Sequence, residues 1–415
     1  MFRAISSDAF APFGELRLEL PEVEDKPDGI AEVHLFTGVN GTGKTRLLSI
    51  LSAMLGSGAH LQKRMKGVGS AYIAATDNFH DFGQRGQWPR VIAAENQVLW
   101  QVRHQLVQWA VQVPAFAYSS FPYLTDSPVS AMGQVVRPNR DQCLAFNRPE
   151  NSSQILLQAV TNLLLEAAVE SLNISQENIA QSRAARLVKS LERSLMEITG
   201  TRFQFGIEKF PQMTLSAIWG GTKLPFDVLP DGLRAIIGWL VHALVMMDVW
   251  LQGKSDPLNT EAVFLIDEIE SHLHPAWQRK ILPAFQRLFP KAQIFVATHS
   301  PFVIASLNHG WIHSLKLESD GTVKNEKPKA ASKGDSYITV VEDIMGVREW
   351  FDPETEKLLA DFRNERELAY KGDASAKSKA VQLAQKIGDR SMELHYMMGR
   401  ELSQMERQLT NVVAK

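Results

Sequence analysis

Three groups of residues in this 415-residue chain have the types and spacing for phosphate chemistry. The first is Gly38-Val-Asn40-Gly41-Thr42-Gly43-Lys44-Thr45, which fits G-x-x-x-x-G-K-[ST]. Glycines at these intervals let successive backbone N–H groups converge on a phosphate with no Cβ in the way. A helix opening at Lys44 would aim the positive end of its dipole at the same point. Lys44 supplies a point charge for β- and γ-phosphates, and the Thr45 hydroxyl is placed to ligate Mg²⁺. Asn40, Thr42 and Arg46 complete the expected nucleotide-facing set.

The second group is Ala262-Val-Phe-Leu-Ile-Asp267-Glu268, an apolar run ending in two acids. A continuous apolar run suits a parallel strand buried on both faces, and ligands bind at the C-terminal ends of such strands. Asp267 is then the expected Mg²⁺ ligand, directly or through water, and Glu268 the base that orients and deprotonates an attacking water. The third group follows a second apolar strand, Ile294 to Ala297: Thr298-His299-Ser300-Pro301. A histidine just past a strand end, beside the carboxylate strand, can reach a γ-phosphate and report its presence. His272 and His274, two residues apart, suggest a metal in isolation. No cysteine or third ligand clusters with them, so they read as loop-shaping residues.

These groups need a scaffold. Residues 14–20 and 31–37 read as strands, followed by the glycine-rich loop and a helix from about Thr45 to Leu55. Residues 60–200 are less regular, with a strand-like run from Val111 to Tyr118 and an aromatic, proline-containing loop from Ser119 to Pro128. A helical pattern covers Ser152 to Ile198 with a break near Asn173. Strand periodicity returns at 202–209 and 213–219, and an apolar helix follows Gly232. A helix over 275–289 contains Pro283, which predicts a kink. Residues 318–335 are polar and lysine-rich and read as a loop. Residues 331–415 are mostly helical, with Leu394, Met398, Leu402, Met405, Leu409 and Val412 on one stripe. That stripe suits packing within its own domain or contact with a partner. The expected divisions are 1–75, 76–200, 201–330 and 331–415.

Forty-four basic and 46 acidic residues leave a net charge of −2, so no global basic field announces nucleic acid. Arg183, Arg186, Lys189 and Arg193 share about a third of a helical circumference. The stripe reads as a solvated face or as a track for phosphates. The single cysteine, Cys143, rules out a disulfide framework within the chain and fits a cytoplasmic location. The N-terminus lacks the apolar core of a signal peptide. The most apolar stretch, Ile236–Leu251, is interrupted by His242 and Asp248 and reads as a buried helix, so no membrane is expected.

The order of these motifs resembles the SMC, RecF and OLD group of ABC-type ATPases. Asp267-Glu-Ile-Glu-Ser-His-Leu-His-Pro275-Ala-Trp-Gln is similar to the DExExxLHPxWQ segment of OLD-like members. The resemblance covers about 1–315 and is firmest over 31–55 and 225–305. It implies an α/β P-loop fold of ABC type: a central mixed sheet, a helical insertion before a signature helix, and a helical C-terminal tail. ATP and Mg²⁺ are the implied cofactors. The implied active unit is a head-to-tail homodimer, or a higher homo-oligomer, with each nucleotide sandwiched between copies. Leu229-Pro-Asp-Gly232-Leu-Arg234 takes the place of the family's Leu-Ser-x-Gly signature. Proline stands where a serine hydroxyl would meet the γ-phosphate, Gly232 would still offer a backbone N–H, and Asp231 is expected to cap the helix. This departure implies slow or partner-gated turnover. The architecture looks like that of anti-phage ATPases of the Septu and PARIS type. No Asp-x-Asp strand or HNH-like cluster follows Ser300, so any effector nuclease or toxin is expected on another polypeptide. A RecF-like repair ATPase that binds DNA is the alternative.

Overall fold

Parallel strands whose C-terminal ends share one edge bring the three motif groups together. The computed structural model describes residues 1–7, 12–23, 26–56, 70–75, 90–94, 97–101, 113–119, 127–131, 133–135, 139–146, 152–173, 182–209, 212–331, 334 and 336–413. It divides into two units, Met1–Val340 and Val341–Lys415.

In the first unit the main sheet contains β3 (Glu32–Thr37), β7 (Ala115–Tyr118), β11 (Ala262–Asp267), β12 (Ala292–Ala297) and β13 (Trp311–Leu317). Their order is β13-β3-β12-β11-β7, all parallel. Every residue of β3, β7, β11 and β12 is buried, which suits their largely apolar character; Glu32, His34 and Gln293 are among the polar exceptions. β12 lies between the strand leading to Gly38 and the strand ending at Asp267. Its register pairs Ala297 with Phe36 on one side and with Asp267 on the other. The sheet is mixed because β14 (Val323–Asn325) and β15 (Lys329–Ala330) run antiparallel to β13. These short strands correct the expected loop over 318–335. Backbone pairing at a sheet edge suffices to order a polar, lysine-bearing sequence there.

Helix α1 (Lys44–Leu55) buries Leu47, Leu48, Ile50 and Leu51 in a core shared with Phe36, Val263, Leu265 and Phe295. A second sheet has the order β2-β1-β4-β5-β6, from β1 (Phe2–Ser7), β2 (Leu16–Glu19), β4 (Ser70–Ala75), β5 (Arg90–Ala94) and β6 (Gln97–Gln101). Between β7 and the next strands come α2 (Arg140–Leu144), α3 (Ser152–Asn173) and α4 (Arg183–Thr199). Ser182 caps α4 by accepting from Ala185 N–H, and Gly200 ends it in the left-handed conformation. β8 (Phe203–Glu208), β9 (Thr214–Trp219) and β10 (Thr222–Leu224) form an antiparallel sheet. Most of the aromatic loop at 119–128 lies outside the described residues.

The longer helices that follow in the first unit are α5 (Asp231–Leu251), α6 (Pro275–Leu288) and α7 (Pro301–Ser306). Among the described residues, α5 is the one helix long and apolar enough to cross a membrane, and 83% of its most apolar window is buried inside the protein. Helix α6 runs through Pro283 as a single element. Beneath β3, Glu32, His34 and His313 form a buried polar chain that sequence reading missed. His34 Nε2 lies 2.9 Å from Glu32 Oε1, and His34 Nδ1 lies 3.1 Å from His313 Nε2. Arg3 Nη1 and Gln293 Nε2 also donate to Glu32 Oε1, at 2.5 and 2.7 Å. The network therefore ties β1 to three strands of the main sheet.

The second unit holds α8 (Pro353–Tyr370), α9 (Ala374–Gly388) and α10 (Met392–Val413). Asp352 and Asp373 cap α8 and α9. Leu394, Met398 and Met405 from the expected stripe are buried with Leu358, Phe362, Ala380, Ala384 and Ile387, and Leu402 and Leu409 pack against them. The stripe is thus used within its own unit.

Candidate nucleotide site

The glycine-rich loop folds over the ammonium of Lys44. Lys44 Nζ donates to the carbonyls of Gly38 and Val39 at 2.8 and 3.1 Å, and Thr42 Oγ1 donates to Val39 O at 2.9 Å. Gly38 has φ 152°, and a Cβ there would lie 2.3 Å from the Leu315 carbonyl of β13. No side chain fits without moving a strand. Helix α1 begins at Lys44 with Gly43 as its N-cap and no side-chain cap, so its first N–H groups face the loop. Burial pulls Lys44 down to about 8, against the opposing charges of Asp267, Glu270 and Glu268.

Opposite the loop stand the ends of β11 and β12. Asp267 is buried, with 5% of its surface exposed. Glu268, the next residue, is exposed and has φ 55°. A left-handed conformation at a non-glycine residue is costly and clusters at functional sites; here it turns the chain sharply at the strand end. Ser271 Oγ donates to Glu268 Oε2 at 3.3 Å. Burial and the charge of Lys44 hold His299 below the ordinary histidine range, with Glu268 opposing. Its imidazole is therefore neutral near pH 7, with one donor and one acceptor nitrogen.

Asn40, Gly41, Gly43, Lys44, Thr45, Arg46, Asp267, Glu268 and His299 line one cleft of about 710 Å³, together with Pro12, Ser49 and Ala297. Gly38 and Thr42 shape the loop from behind. Gly232 is not brought to this cleft. It is buried at the start of α5, where a Cβ would lie 2.7 Å from His272 O and 3.1 Å from the Trp277 ring. Asp231 does not cap α5 as expected: Pro230 is the N-cap, without a side-chain bond, and Asp231 Oδ1 pairs with Arg234 Nη2 at 2.5 Å. Two of the four cations on the α4 stripe are taken by acids of this chain: Arg183 by Asp248, and Arg186 by Asp256 at 3.4 Å. His274 accepts from Ala276 N–H at the start of α6, and no metal-holding cluster occurs among the described residues.

Sequence reading passed over Glu270. Its carboxylate accepts from Thr298 Oγ1 and from the His299 backbone N–H, each at 2.6 Å. Burial raises its carboxyl above the usual range, with those two hydrogen bonds opposing. Glu270 stands in the DExExxLHPxWQ segment, but its partners, the Thr298 hydroxyl and the His299 N–H, lie on another strand end and do not show in that segment.

Residues 144–305, which include both strand-end acids and His299 but not the glycine-rich loop, match the family described as "AAA domain, putative AbiEii toxin, Type IV TA system". The chain is similar to defence-system ATPases. Over 147 residues it is 29% identical to the "Retron Vc95 probable ATPase" of Vibrio cholerae serotype O1 biovar El Tor, covering 35% of this chain and 28% of that one. Over another 147-residue match it is 30% identical to the Septu protein PtuA of Bacillus thuringiensis, covering 34% of this chain and 37% of that one. The matched segments thus span about a third of those curated relatives. Among solved structures, an SMC head bound to the C-winged helix domain of ScpA aligns with a TM-score of 0.46 at 12% identity, over 80% of this chain and 98% of that chain.

Proposed function

We propose that this chain binds and hydrolyses ATP, and that it serves as an ATP-driven sensor or scaffold in bacterial anti-phage defence, acting with a separate effector nuclease or toxin. The convergence of Lys44, Thr45, Asp267, Glu268 and His299 on one cleft, from opposite ends of the first unit, carries the ATPase part. The relatives named after retron and Septu systems support the defence part.

In this reading the loop N–H groups and Lys44 bind the β- and γ-phosphates. Thr45 and Asp267 would hold Mg²⁺; a hydroxyl and a buried carboxylate are the hard oxygen donors that this ion takes. When bound, it would neutralise charge on the transferred phosphate. Glu268 takes a proton from the attacking water, and the neutral His299 ring contacts the γ-phosphate oxygens. A second copy, placed head to tail, would close the cleft with its segment 229–234. Pro230 and Asp231 of that segment are exposed, whereas Gly232 is buried against its own chain. With no serine hydroxyl there, the proposed turnover is slow or partner-gated, in the cytoplasm.

Replacing Lys44 by Ala tests the nucleotide assignment. ATP affinity should fall by about a hundredfold, the loss of a charge-assisted phosphate contact worth roughly 2–3 kcal/mol. Phage protection in cells carrying the full system should fall with it. Unchanged affinity contradicts the assignment, and unchanged protection contradicts the defence role.

A further inference from the structure

We infer that Glu270 and Gln278 are positioning residues for turnover: they brace the Thr298–Ser300 segment against the end of β11, and Glu270 acts through His299. The inference rests on the ATPase reading above and names residues to which that reading gives no role.

On the β3 side the sheet still holds Thr298, whose N–H donates to Phe36 O at 3.1 Å; on the β11 side it does not reach His299. The β11–β12 ladder ends at the Asp267–Ala297 pair, and its last backbone tie is Glu268 N–H to Ala297 O at 3.0 Å. Beyond that point the two chains diverge, one into the turn toward α6 and the other toward α7. Two side chains span the gap. Glu270 uses one oxygen for the His299 N–H and the other for the Thr298 hydroxyl. Thr298 Oγ1 in turn accepts from Ser300 N–H at 3.0 Å. Gln278, from the first turn of α6, accepts from Ser300 Oγ at 2.6 Å and donates to Leu273 O at 2.8 Å. Glu270 and Gln278 thus fasten the turn that begins at Glu268 to the segment that carries His299.

The same geometry separates Glu270 from the acids of the cleft. Asp267 and Glu268 line the cleft; Glu270 does not, and both of its oxygens are engaged behind the histidine. Carboxylate hydrogen bonds to N–H and O–H donors are short and directional. A bridge of this kind fixes the backbone from which the imidazole projects, and so the position from which it can reach a reacting group.

The test is steady-state ATP hydrolysis and ATP binding by the full chain, comparing wild type with Glu270→Ala, Glu270→Gln, Gln278→Ala, His299→Ala and the Glu270→Ala/His299→Ala double variant. Glu270→Ala should lower kcat by about tenfold or more while ATP Kd stays within about threefold. Glu270→Gln keeps an oxygen for the His299 N–H and should recover about fivefold of that loss. Gln278→Ala, which leaves the Glu270 carboxylate in place, should show the same fall in kcat without a change in Kd. It serves as the deciding variant if Glu270→Ala fails to fold. In the His299→Ala background, Glu270→Ala should cost less than about twofold, because residues acting as one unit are not additive. Fully multiplicative losses in the double variant, equal inactivity of Glu270→Ala and Glu270→Gln, or a loss confined to Kd would each overturn the inference. Wild-type protein without Lys44-dependent hydrolysis would remove the ATPase reading itself.

Discussion

Mild acid should loosen the sheet that carries the phosphate loop, by an amount set by two buried imidazoles. Glu32 is an acceptor only: burial alone would raise its pKa, but hydrogen bonds from His34 and Arg3 hold it at about 2. His34 Nε2 must therefore carry the proton shared with Glu32, which leaves Nδ1 as an acceptor. His313 Nε2 must then donate to His34 Nδ1, and His313 Nδ1 is left buried with no partner. Both rings are neutral in the folded chain, and burial pushes both below the ordinary value of 6.5; Glu32 opposes this at His34. As pH falls through 6.5 the unfolded chain takes up protons that the folded chain does not. Stability is thus full above that value and is lost below it. At about pH 5.5 each ring that stays neutral costs roughly 1 kcal/mol, so the pair costs at most a few kcal/mol. Glu32 contributes in a separate, lower window, as pH falls from 4.5 toward about 2. Urea unfolding at about pH 7.5 and about pH 5.5, for wild type and His313→Phe, isolates one ring. The variant should lose roughly 1 kcal/mol less than wild type between the two conditions, whatever its absolute stability. Identical pH dependence in the two proteins would refute the neutral state of His313 in the folded chain.

Two backbone contacts give further tests. Gly38→Ala places a methyl against the Leu315 carbonyl and should abolish ATP binding in equilibrium titration, with only a small change in helix content by circular dichroism. Gly232→Ala pushes on His272 O, in the turn that begins at Glu268, and should lower kcat by about tenfold with ATP affinity retained. Loss of ATP affinity instead would place Gly232 in the binding site of its own chain.

The parallel core and its site were legible because each depends on local chemistry. Largely apolar runs marked β3, β11 and β12, and the residues just past each run were the ones with chemistry to offer. What was missed depends on distant pairing. Residues 1–10 were read only for what they lack, yet Phe2–Ser7 form β1, whose Phe2 backbone is held by the Gln293 side chain. The residues of the Glu32–His34–His313 chain carry no spacing that announces them, since β13 meets β3 only through the topology. Gly232 was read only as a backbone donor to a second copy's nucleotide; that its missing Cβ also allows close packing against His272 and Trp277 has no mark in the sequence. The stripe on α10 was periodic in sequence, whereas the surface it packs against comes from α8 and α9.

We propose Glu268 as the base of an ATP-hydrolysing cleft. Single-turnover phosphate release by the Glu268→Gln variant tests it most directly, with bound ATP measured in parallel. Release should slow by about a hundredfold or more while ATP stays bound with wild-type affinity. Release at the wild-type rate would contradict it.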